Sequence, residues 1–169
     1  VAFLDDDDTW YKEKLQLQVD ELLKNDGAAL CTCGLKVNYL KSRMSYSNYP
    51  DIENITFQDM LLRNKIGISS CILIWKEIFS KIGCYDETLP AREDYDFNIR
   101  VVDKYKITSV NKILVNYSIH EDPHQQMNGG VEKFKIANDL IYMKYQKYYT
   151  NMNKKLVNIR WANIYFQYS

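Results

Sequence analysis

The sequence has no excess of charge of either sign, with 22 basic and 22 acidic residues among 169. This balance excludes the broad positive field of most nucleic-acid-binding proteins, so we expect no nucleic-acid partner. The sequence also lacks an apolar run of membrane-spanning length and a signal peptide, which favours a cytoplasmic protein. It contains no internal repeat and no low-complexity segment. Because 46% of its residues are hydrophobic, we expect a folded chain with a substantial core.

Cysteine is scarce, and its spacing matches no recognisable zinc motif. The four cysteines are Cys31, Cys33, Cys71 and Cys84. In an intracellular chain, isolated cysteines are usually reduced and packed as small apolar side chains. We therefore expect buried thiols rather than a zinc site or disulfides.

An acidic run follows the first apolar segment. Residues Val1–Leu4 are apolar, and Asp5–Asp8 are four consecutive carboxylates. The apolar segment predicts a buried strand, and ligands bind at the carboxyl edge of open α/β sheets. Mutual repulsion among the carboxylates favours a divalent cation such as Mg²⁺ or Mn²⁺. The alternative, with equal weight, is a solvated acidic turn in which Asp8 or Thr9 caps the next helix.

Periodicity along the chain predicts an α/β fold with a mixed sheet flanked by helices. Helices are predicted at residues 10–24, 57–64, 76–82 and 93–104, strands at 28–37, 68–75 and 107–119, and loops at 41–54 and 120–130. The apolar face of the first helix is predicted from Tyr11, Leu15, Val19 and Leu22. The loop at 120–130 is a candidate mobile flap. Since Val1 stands inside a predicted core strand, we expect further residues before it in the parent protein.

A second acidic cluster precedes the helix predicted at 93–104. Glu93 and Asp94 stand in its first turn, and Asp96 and Arg100 have the i,i+4 spacing of an ion pair. Carboxylates at this position are also favoured by the helix dipole without any catalytic role. From the residues alone, both interpretations of Glu93 and Asp94 remain open.

The carboxyl-terminal part, residues 131–169, is predicted to be a helical extension of a domain at 1–130. It carries seven basic and two acidic residues among many aromatic ones. Basic amphipathic helices can lie on anionic membrane surfaces, so peripheral membrane contact is one interpretation. Helices that pack on the sheet with solvated lysines are the favoured one.

Two stretches together resemble the family 2 glycosyltransferases, which have the GT-A fold. They are VAFLDDDDTWYKEKLQLQ and, further along, IGCYDETLPAREDYDFNIRV. They contain the apolar strand and acidic turn of that family, then its Gly-aromatic-Asp-Glu and Glu-Asp-aromatic-Asp patterns with an arginine one turn later. The resemblance covers residues 1–120. The amino-terminal, nucleotide-binding half of the family is absent, and the segment after Gly130 carries no family motif.

The resemblance implies an inverting transfer of a sugar from a nucleotide-sugar donor, such as a UDP-sugar, to an acceptor hydroxyl with Mn²⁺ or Mg²⁺. It assigns metal binding to Asp7, Asp5 and His120 (with His124 as the alternative histidine), donor binding to Asp5 and Asp6, the general base to Asp94, and orientation of the acceptor or its surroundings to Glu93, Asp96 and Arg100. It also implies a saccharide or lipid-linked acceptor and a role in bacterial surface-polysaccharide synthesis at the inner face of the membrane. A homodimer is a further expectation.

Two other functions remain as alternatives. The chain can be a truncated module that folds, binds or dimerises without catalysis, because an unpaired sheet edge at Val1 favours pairing with another chain. Alternatively, Asp6–Thr9 matches the Asp-x-Asp-Thr motif of haloacid-dehalogenase-type phosphatases. That class also requires a downstream lysine and a Gly-Asp motif, which the turn at Gly83 does not supply.

Overall fold

A five-stranded mixed sheet organises the computed structural model, which describes residues 1–120 and 130–166. Its strands are β1 (Thr9–Trp10), β2 (Ala28–Tyr39), β3 (Ser45–Asn48), β4 (Leu73–Ile74) and β5 (Lys106–Ile119). Their order is β1-β5-β2-β3, and β4 also pairs with β2. The β2–β5 pair is parallel, whereas the other pairs are antiparallel. The predicted α/β class with a mixed sheet is therefore confirmed.

Helices flank this sheet and connect its strands. They are α1 (Lys14–Lys24), α2 (Phe57–Leu62), α3 (Glu77–Ile82), α4 (Glu93–Lys104), α5 (Gly130–Lys144), α6 (Gln146–Tyr149) and α7 (Lys154–Phe166). The bounds of α4 agree with the sequence prediction, and those of α2 and α3 differ from it by one or two residues. Since β2 and β5 are parallel, their carboxyl ends at Tyr39 and Ile119 lie at the same edge of the sheet.

The first apolar segment is not a regular strand. Val1 and Ile74 exchange two main-chain hydrogen bonds, and Ala2 forms a single bridge with Leu73. Within the described residues the segment is paired on this side alone, which leaves Val1 and Leu4 exposed. The predicted buried strand is therefore wrong as a regular element, although the segment does run alongside β4.

Two other predictions differ from the structure. The predicted strand 68–75 is shortened, because a 3-10 turn occupies Ser69–Cys71 and leaves β4 as two residues. The predicted loop 41–54 contains β3, whose four residues are all exposed and polar or aromatic. An exposed edge strand lacks the apolar alternation that marks a half-buried strand. The flap predicted at 120–130 lies almost entirely outside the described residues.

The face of α1 that contacts the sheet is not the one predicted. Of the predicted stripe only Leu22 is buried, whereas Tyr11, Leu15 and Val19 are 41%, 44% and 36% exposed. The helix begins at Lys14 rather than Trp10, because Trp10 is paired in β1. Its buried positions are instead Lys14, Gln18 and Leu22, which also follow an i,i+4 spacing. The helical periodicity was therefore recognised correctly, but the face of α1 that it predicted to be buried is mostly exposed.

Specific contacts explain how polar side chains occupy that buried face. Gln18 Nε2 donates hydrogen bonds to the carbonyls of Cys31 (2.9 Å) and Cys71 (2.8 Å), which joins β2 to the turn before β4. Lys14 Nζ lies 4.1 Å from the centre of the Trp10 ring, a cation–π contact. Burial lowers the pKa of Lys14, because the charged ammonium is desolvated, and the neighbouring thiols oppose that shift.

Replacing Lys14 by methionine is expected to stabilise the fold. The Lys14 ammonium is buried and has no hydrogen-bond acceptor among the described residues. A methionine keeps the apolar stem and removes the desolvation cost, so we expect the free energy of unfolding at pH 7 to rise by about 1 kcal/mol. Chemical denaturation of Lys14→Met and of the exposed control Lys12→Met measures this difference.

The pH dependence of the same pair of proteins tests the cause. A lysine whose pKa is lower in the folded state loses its proton at a lower pH there than in the unfolded chain. The wild type therefore gains stability relative to Lys14→Met as the pH rises toward the ordinary lysine pKa of 10.5. Two results would contradict this prediction: a difference in the free energy of unfolding that stays constant with pH, or a variant Lys14→Met that is less stable than the wild type. Either result would show that the ammonium is well solvated or paired.

The helices after residue 129 pack onto the main core. Ile141, Tyr145 and Tyr149 belong to the same buried cluster as the core residues of α2 and α4. The Tyr149 hydroxyl (2.5 Å) and Arg160 Nε (3.0 Å) both donate to the Leu61 carbonyl at the end of α2. These contacts are made to helices rather than to the sheet itself. The boundary predicted at 130 stays a prediction.

Two findings complete the fold. Cys31, Cys33 and Cys71 are buried as expected, but Cys84 is exposed, so the expectation of burial is wrong there. Cys84 lies in the turn after Gly83, where its carbonyl accepts a hydrogen bond from Arg100. Among the helices that the structure describes, none combines the length and apolar character that crossing a bilayer requires.

Candidate active site

A cleft of about 920 Å³ opens at the carboxyl edge of the parallel strand pair. Three segments form most of its lining: residues 4–7, 90–94 and 117–120. They contribute five carboxylates, namely Asp5, Asp6, Asp7, Glu93 and Asp94. The two acidic clusters, which are far apart in the sequence, therefore meet in one cleft. This is the edge at which ligands bind in open α/β sheets.

The acidic turn is anchored by Ser70, a buried residue of the 3-10 turn. The Asp5 N–H donates to Ser70 Oγ (3.1 Å), and Trp10 Nε1 donates to the Ser70 carbonyl (2.9 Å). A further bond from the Asp8 N–H to the Asp5 carbonyl (3.1 Å) closes the turn. Ser70 thus fixes both ends of the acidic run. Its role was not predicted, since an isolated serine in an apolar stretch gives no such signal.

Asp8 does not cap a helix. The α1 helix begins after Glu13, so neither Asp8 nor Thr9 stands at its amino terminus, and the capping prediction is wrong. Asp8 is instead buried, and its Oδ1 accepts a hydrogen bond from the Ser118 N–H (3.2 Å). Burial raises the pKa of Asp8, an effect that the Ser70 and Ser118 hydrogen bonds oppose. This contact holds the acidic turn against the end of β5.

Asp7 and His120 lie next to each other in the lining of the cleft. His120 Nε2 lies 3.5 Å from Asp7 Oδ2, and both side chains are partly exposed. Burial raises the pKa of Asp5, and the negative charges of Asp7, Asp6 and Glu93 raise it further. Carboxylate oxygens suit both Mg²⁺ and Mn²⁺, and an imidazole nitrogen beside them favours the softer Mn²⁺ of the two. His124, the alternative histidine, lies outside the described residues.

The donor set fits a divalent cation that shares its coordination with a substrate. Among residues 1–120 and 130–166, no three side chains of histidine, cysteine or acid type are already grouped to hold a metal. Mg²⁺ is often bound by one or two carboxylates, with substrate phosphates and water completing its coordination. Asp5, Asp7 and His120 fit that mode, because negative charge accumulates at their end of the cleft.

Asp94 lies at the start of α4 on another wall of the cleft. Its Oδ1 accepts a hydrogen bond from the Tyr95 N–H (2.7 Å). Burial raises the pKa of Asp94 to about 6, and the charges of Glu93 and Asp5 contribute in the same direction. An aspartate with such a pKa is ionised at neutral pH yet basic enough to accept a proton. Perturbed carboxylates in clefts mark candidate functional sites.

Asp96 and Arg100 do not line the cleft. Asp96 is fully buried, and its Oδ2 accepts from Arg100 Nε (3.0 Å), which confirms the predicted i,i+4 pair. The Arg100 guanidinium also donates to the carbonyls of Ile82 (2.6 Å), Gly83 (3.3 Å) and Cys84 (2.6 Å). The pair therefore fixes the turn before α4 rather than reaching a ligand. Its role in orienting an acceptor stays a prediction, and any such effect is indirect.

The last residue of α5, Lys144, and the residue after it, Tyr145, complete this hydrogen-bond network. The Tyr145 hydroxyl donates to Asp96 Oδ1 (2.9 Å), and Lys144 Nζ lies 2.9 Å from the same oxygen. Lys144 also lies 2.7 Å from Asp86 Oδ2, and this partner, with Thr88, lowers the pKa of Asp86 to about 2. A segment without a family motif thus holds the motif helix in place. Neither Lys144 nor Tyr145 was predicted, because no local spacing links them to Asp96.

Comparison with known proteins places these features in a family. A family model described as glycosyltransferase-like family 2 matches residues 1–155. An uncharacterized glycosyltransferase of Haemophilus influenzae is 31% identical over 123 residues, which cover 71% of this chain and 42% of that protein. Uncharacterized glycosyltransferases of Rickettsia typhi and Rickettsia prowazekii are 26% and 27% identical, over 71% and 70% of this chain and 39% of each relative.

The chain spans about two fifths of the length of these relatives. The family match nevertheless covers both acidic clusters and most of the helices after residue 129. This chain belongs to glycosyltransferase-like family 2.

Proposed function

We propose that the chain forms the metal and acceptor side of an inverting glycosyltransferase, which moves a sugar from a nucleoside diphosphate donor to an acceptor hydroxyl. One observation carries the proposal: the Asp7–His120 pair and Asp94 line the same cleft. A leaving-group site and a proton acceptor can then lie on opposite sides of one sugar carbon. Family membership supports this reaction class over the phosphatase alternative.

The leaving-group side consists of Asp5, Asp7 and His120. These residues would hold a Mn²⁺ or Mg²⁺, which would supply stabilisation of the negative charge that develops on the departing diphosphate. Asp7 and His120 would hold the cation, while Asp5 would contact the donor ribose or a cation-bound water. Asp6, which is exposed and lines the cleft, would contact the donor sugar. Ser70 and Asp8 keep these side chains in register through the hydrogen bonds of the acidic turn.

The acceptor side consists of Glu93 and Asp94. The Asp94 carboxylate would accept the proton of the acceptor hydroxyl as that oxygen attacks the anomeric carbon. Attack from the side opposite the leaving group inverts the configuration at that carbon. Glu93 would orient the acceptor or the neighbouring loop. Asp96 and Arg100 fix the turn before α4 and do not line the cleft. They would therefore act on the position of Glu93 and Asp94 rather than by touching a substrate.

The identity of the donor, the acceptor and the pathway is inferred from the family resemblance and not from contacts in the structure. A UDP-sugar as donor, a saccharide or lipid-linked acceptor, and a bacterial surface-polysaccharide pathway are the proposals that the resemblance supports. Peripheral membrane contact and a homodimer remain predictions.

Nucleotide binding tests the leaving-group side directly. We expect the full-length protein to bind UDP in the presence of Mn²⁺ and to lose at least about tenfold in affinity when Asp7 is replaced by asparagine, because Mn²⁺ prefers charged oxygen ligands. Isothermal titration with and without Mn²⁺ measures the change. Asp26→Asn, in the exposed turn after α1, is the matched control and should leave binding unchanged.

The outcome separates the alternatives. Binding by the full-length protein but not by residues 1–169 alone means that this chain is an incomplete module of the enzyme. UDP affinity that is independent of both Mn²⁺ and Asp7 contradicts the metal assignment. A panel of UDP-, GDP- and TDP-sugars, assayed for release of the nucleoside diphosphate, then identifies the donor.

A further inference from the structure

Arg92 is the one charged residue of the described cleft lining to which the proposed mechanism gives no role. It immediately precedes α4 and has a left-handed backbone, with φ 62° and ψ 22°. Side chains other than glycine adopt this conformation at a cost, and such residues cluster at functional sites, where the surrounding structure maintains them. Among the described residues that line the cleft, Arg92 is the one lysine or arginine beside five carboxylates.

The guanidinium is held by rings rather than by acids. Its carbon lies 5.4 Å from the centre of the Tyr95 ring and 5.9 Å from that of Phe134. Nε is buried and has no hydrogen-bond partner in the part of the chain that the structure describes. Within the described residues Arg92 forms no ion pair shorter than 4.0 Å, although its positive charge is close enough to Asp94 to oppose the rise in the pKa of that carboxyl. A fixed guanidinium is thus available to a ligand in the cleft.

The position of Arg92 indicates which substrate it would contact. It adjoins Asp94, the proposed base, so a group beside it belongs to the acceptor rather than to the diphosphate at Asp7. A planar guanidinium matches carboxylate and phosphate oxygens with two parallel hydrogen bonds. An anion would otherwise be repelled by the carboxylates of this cleft. We propose that Arg92 binds a carboxylate or phosphate group on the acceptor sugar and so selects an anionic acceptor.

Binding of simple sugar probes tests this inference. The inference rests on the proposed function, because only that function makes the bound sugar an acceptor. The probes are methyl glucoside, methyl glucuronide and methyl glucoside 6-phosphate, titrated into the full-length protein. We expect at least one charged probe to bind about tenfold more tightly than the neutral one. The carboxylate and the phosphate probe distinguish the two sources of negative charge.

Variants assign the preference to Arg92. Arg92→Met should remove it, and Arg92→Gly should do the same while favouring the left-handed backbone, so that loss of the turn is not the cause. Arg92→Lys keeps a charge without the planar fork and should retain only part of the preference. Arg63→Met is the matched control, because Arg63 is exposed and does not line the cleft. Thermal unfolding confirms that each variant is folded.

Equal affinity of the wild type for charged and neutral probes would overturn the inference, as would a preference that survives in both Arg92→Met and Arg92→Gly. UDP binding with Mn²⁺ separates this result from the proposed function. Arg92→Met should leave UDP binding unchanged, and an equal loss of UDP and probe affinity would assign Arg92 to the donor instead. If the wild type binds no nucleotide, the proposed function fails, while the probe titrations still report whether Arg92 binds anions.

Discussion

Replacing Asp94 by asparagine is expected to lower the rate of sugar transfer by about 10³-fold, which is within the usual contribution of a general base. Asparagine has nearly the same shape but cannot accept the acceptor proton. The Tyr95 N–H that bonds to Asp94 Oδ1 retains an oxygen partner in the variant, so the fold should be intact. The measurement is release of nucleoside diphosphate by the full-length protein with the donor that the panel identifies.

The pH profile provides a second readout of the same residue. Since the base must be ionised, kcat/KM of the wild type should rise with pH and reach a plateau above the pKa of Asp94, raised to about 6 by burial. A cation bound at Asp5 and Asp7 favours the ionised form, so the inflection should lie at or below that value. The residual activity of Asp94→Asn should lack this inflection.

Asp103→Asn is the matched control for both measurements. It makes the same chemical change at an exposed position near the opposite end of α4, outside the cleft. Its activity and pH profile should equal those of the wild type. Activity in Asp94→Asn close to that of Asp103→Asn would remove Asp94 as the base and leave Glu93 as the remaining acid of that wall.

Replacing Asp96 by alanine is expected to have the largest effect on stability. The change removes the oxygen atoms that Arg100, Lys144 and Tyr145 contact at 2.9–3.0 Å. The Asp96 carboxylate and Tyr145 are buried, whereas Lys144 and Arg100 are partly exposed. Breaking a buried charge network from one side typically costs about 3–5 kcal/mol. Lys144 keeps Asp86, and Arg100 keeps its main-chain partners. We therefore expect about 3 kcal/mol, or a decrease in Tm of about 8 °C for a chain of this size.

Thermal and denaturant unfolding of three variants provide the comparison. Asp96→Asn retains part of the hydrogen bonding and should lie between the wild type and Asp96→Ala. Asp103→Asn, in the same helix but exposed, should unfold like the wild type. A Tm of Asp96→Ala within about 2 °C of the wild type would mean that solvent compensates the three donors, and α5 would then not be needed to hold α4.

Local sequence patterns were sufficient for the elements whose buried face is set by their own periodicity. The α4 helix begins at its acidic first turn and ends at Lys104 as its periodicity predicts, and the Asp96–Arg100 pair forms as its spacing indicates. Both acidic clusters were also identified, because runs of carboxylates beside apolar segments are unusual in sequence. Their meeting in one cleft was implied by the family resemblance, which places a metal site and a base at one reaction centre, and by no local pattern.

The sequence was insufficient where a tertiary partner overrides the local preference. Apolar periodicity in α1 selected Tyr11 and Leu15 for the core, yet Trp10 and two main-chain carbonyls accommodate Lys14 and Gln18 there instead. Asp8 was expected to cap a helix, but the Ser118 N–H is its partner across the sheet. The left-handed backbone at Arg92 also has no sequence signal, since arginine is not a residue that favours it.

The parallel register of β2 and β5 has a consequence for biosynthesis. Residues 40–105, including α2, α3 and α4, lie between these two strands, so their pairing requires the closure of a long loop. On the ribosome, β2 emerges well before its neighbour and must wait with one edge unpaired. The cleft can assemble fully only after Phe134 has left the exit tunnel, and the nascent chain is open to misassociation and chaperone binding until then.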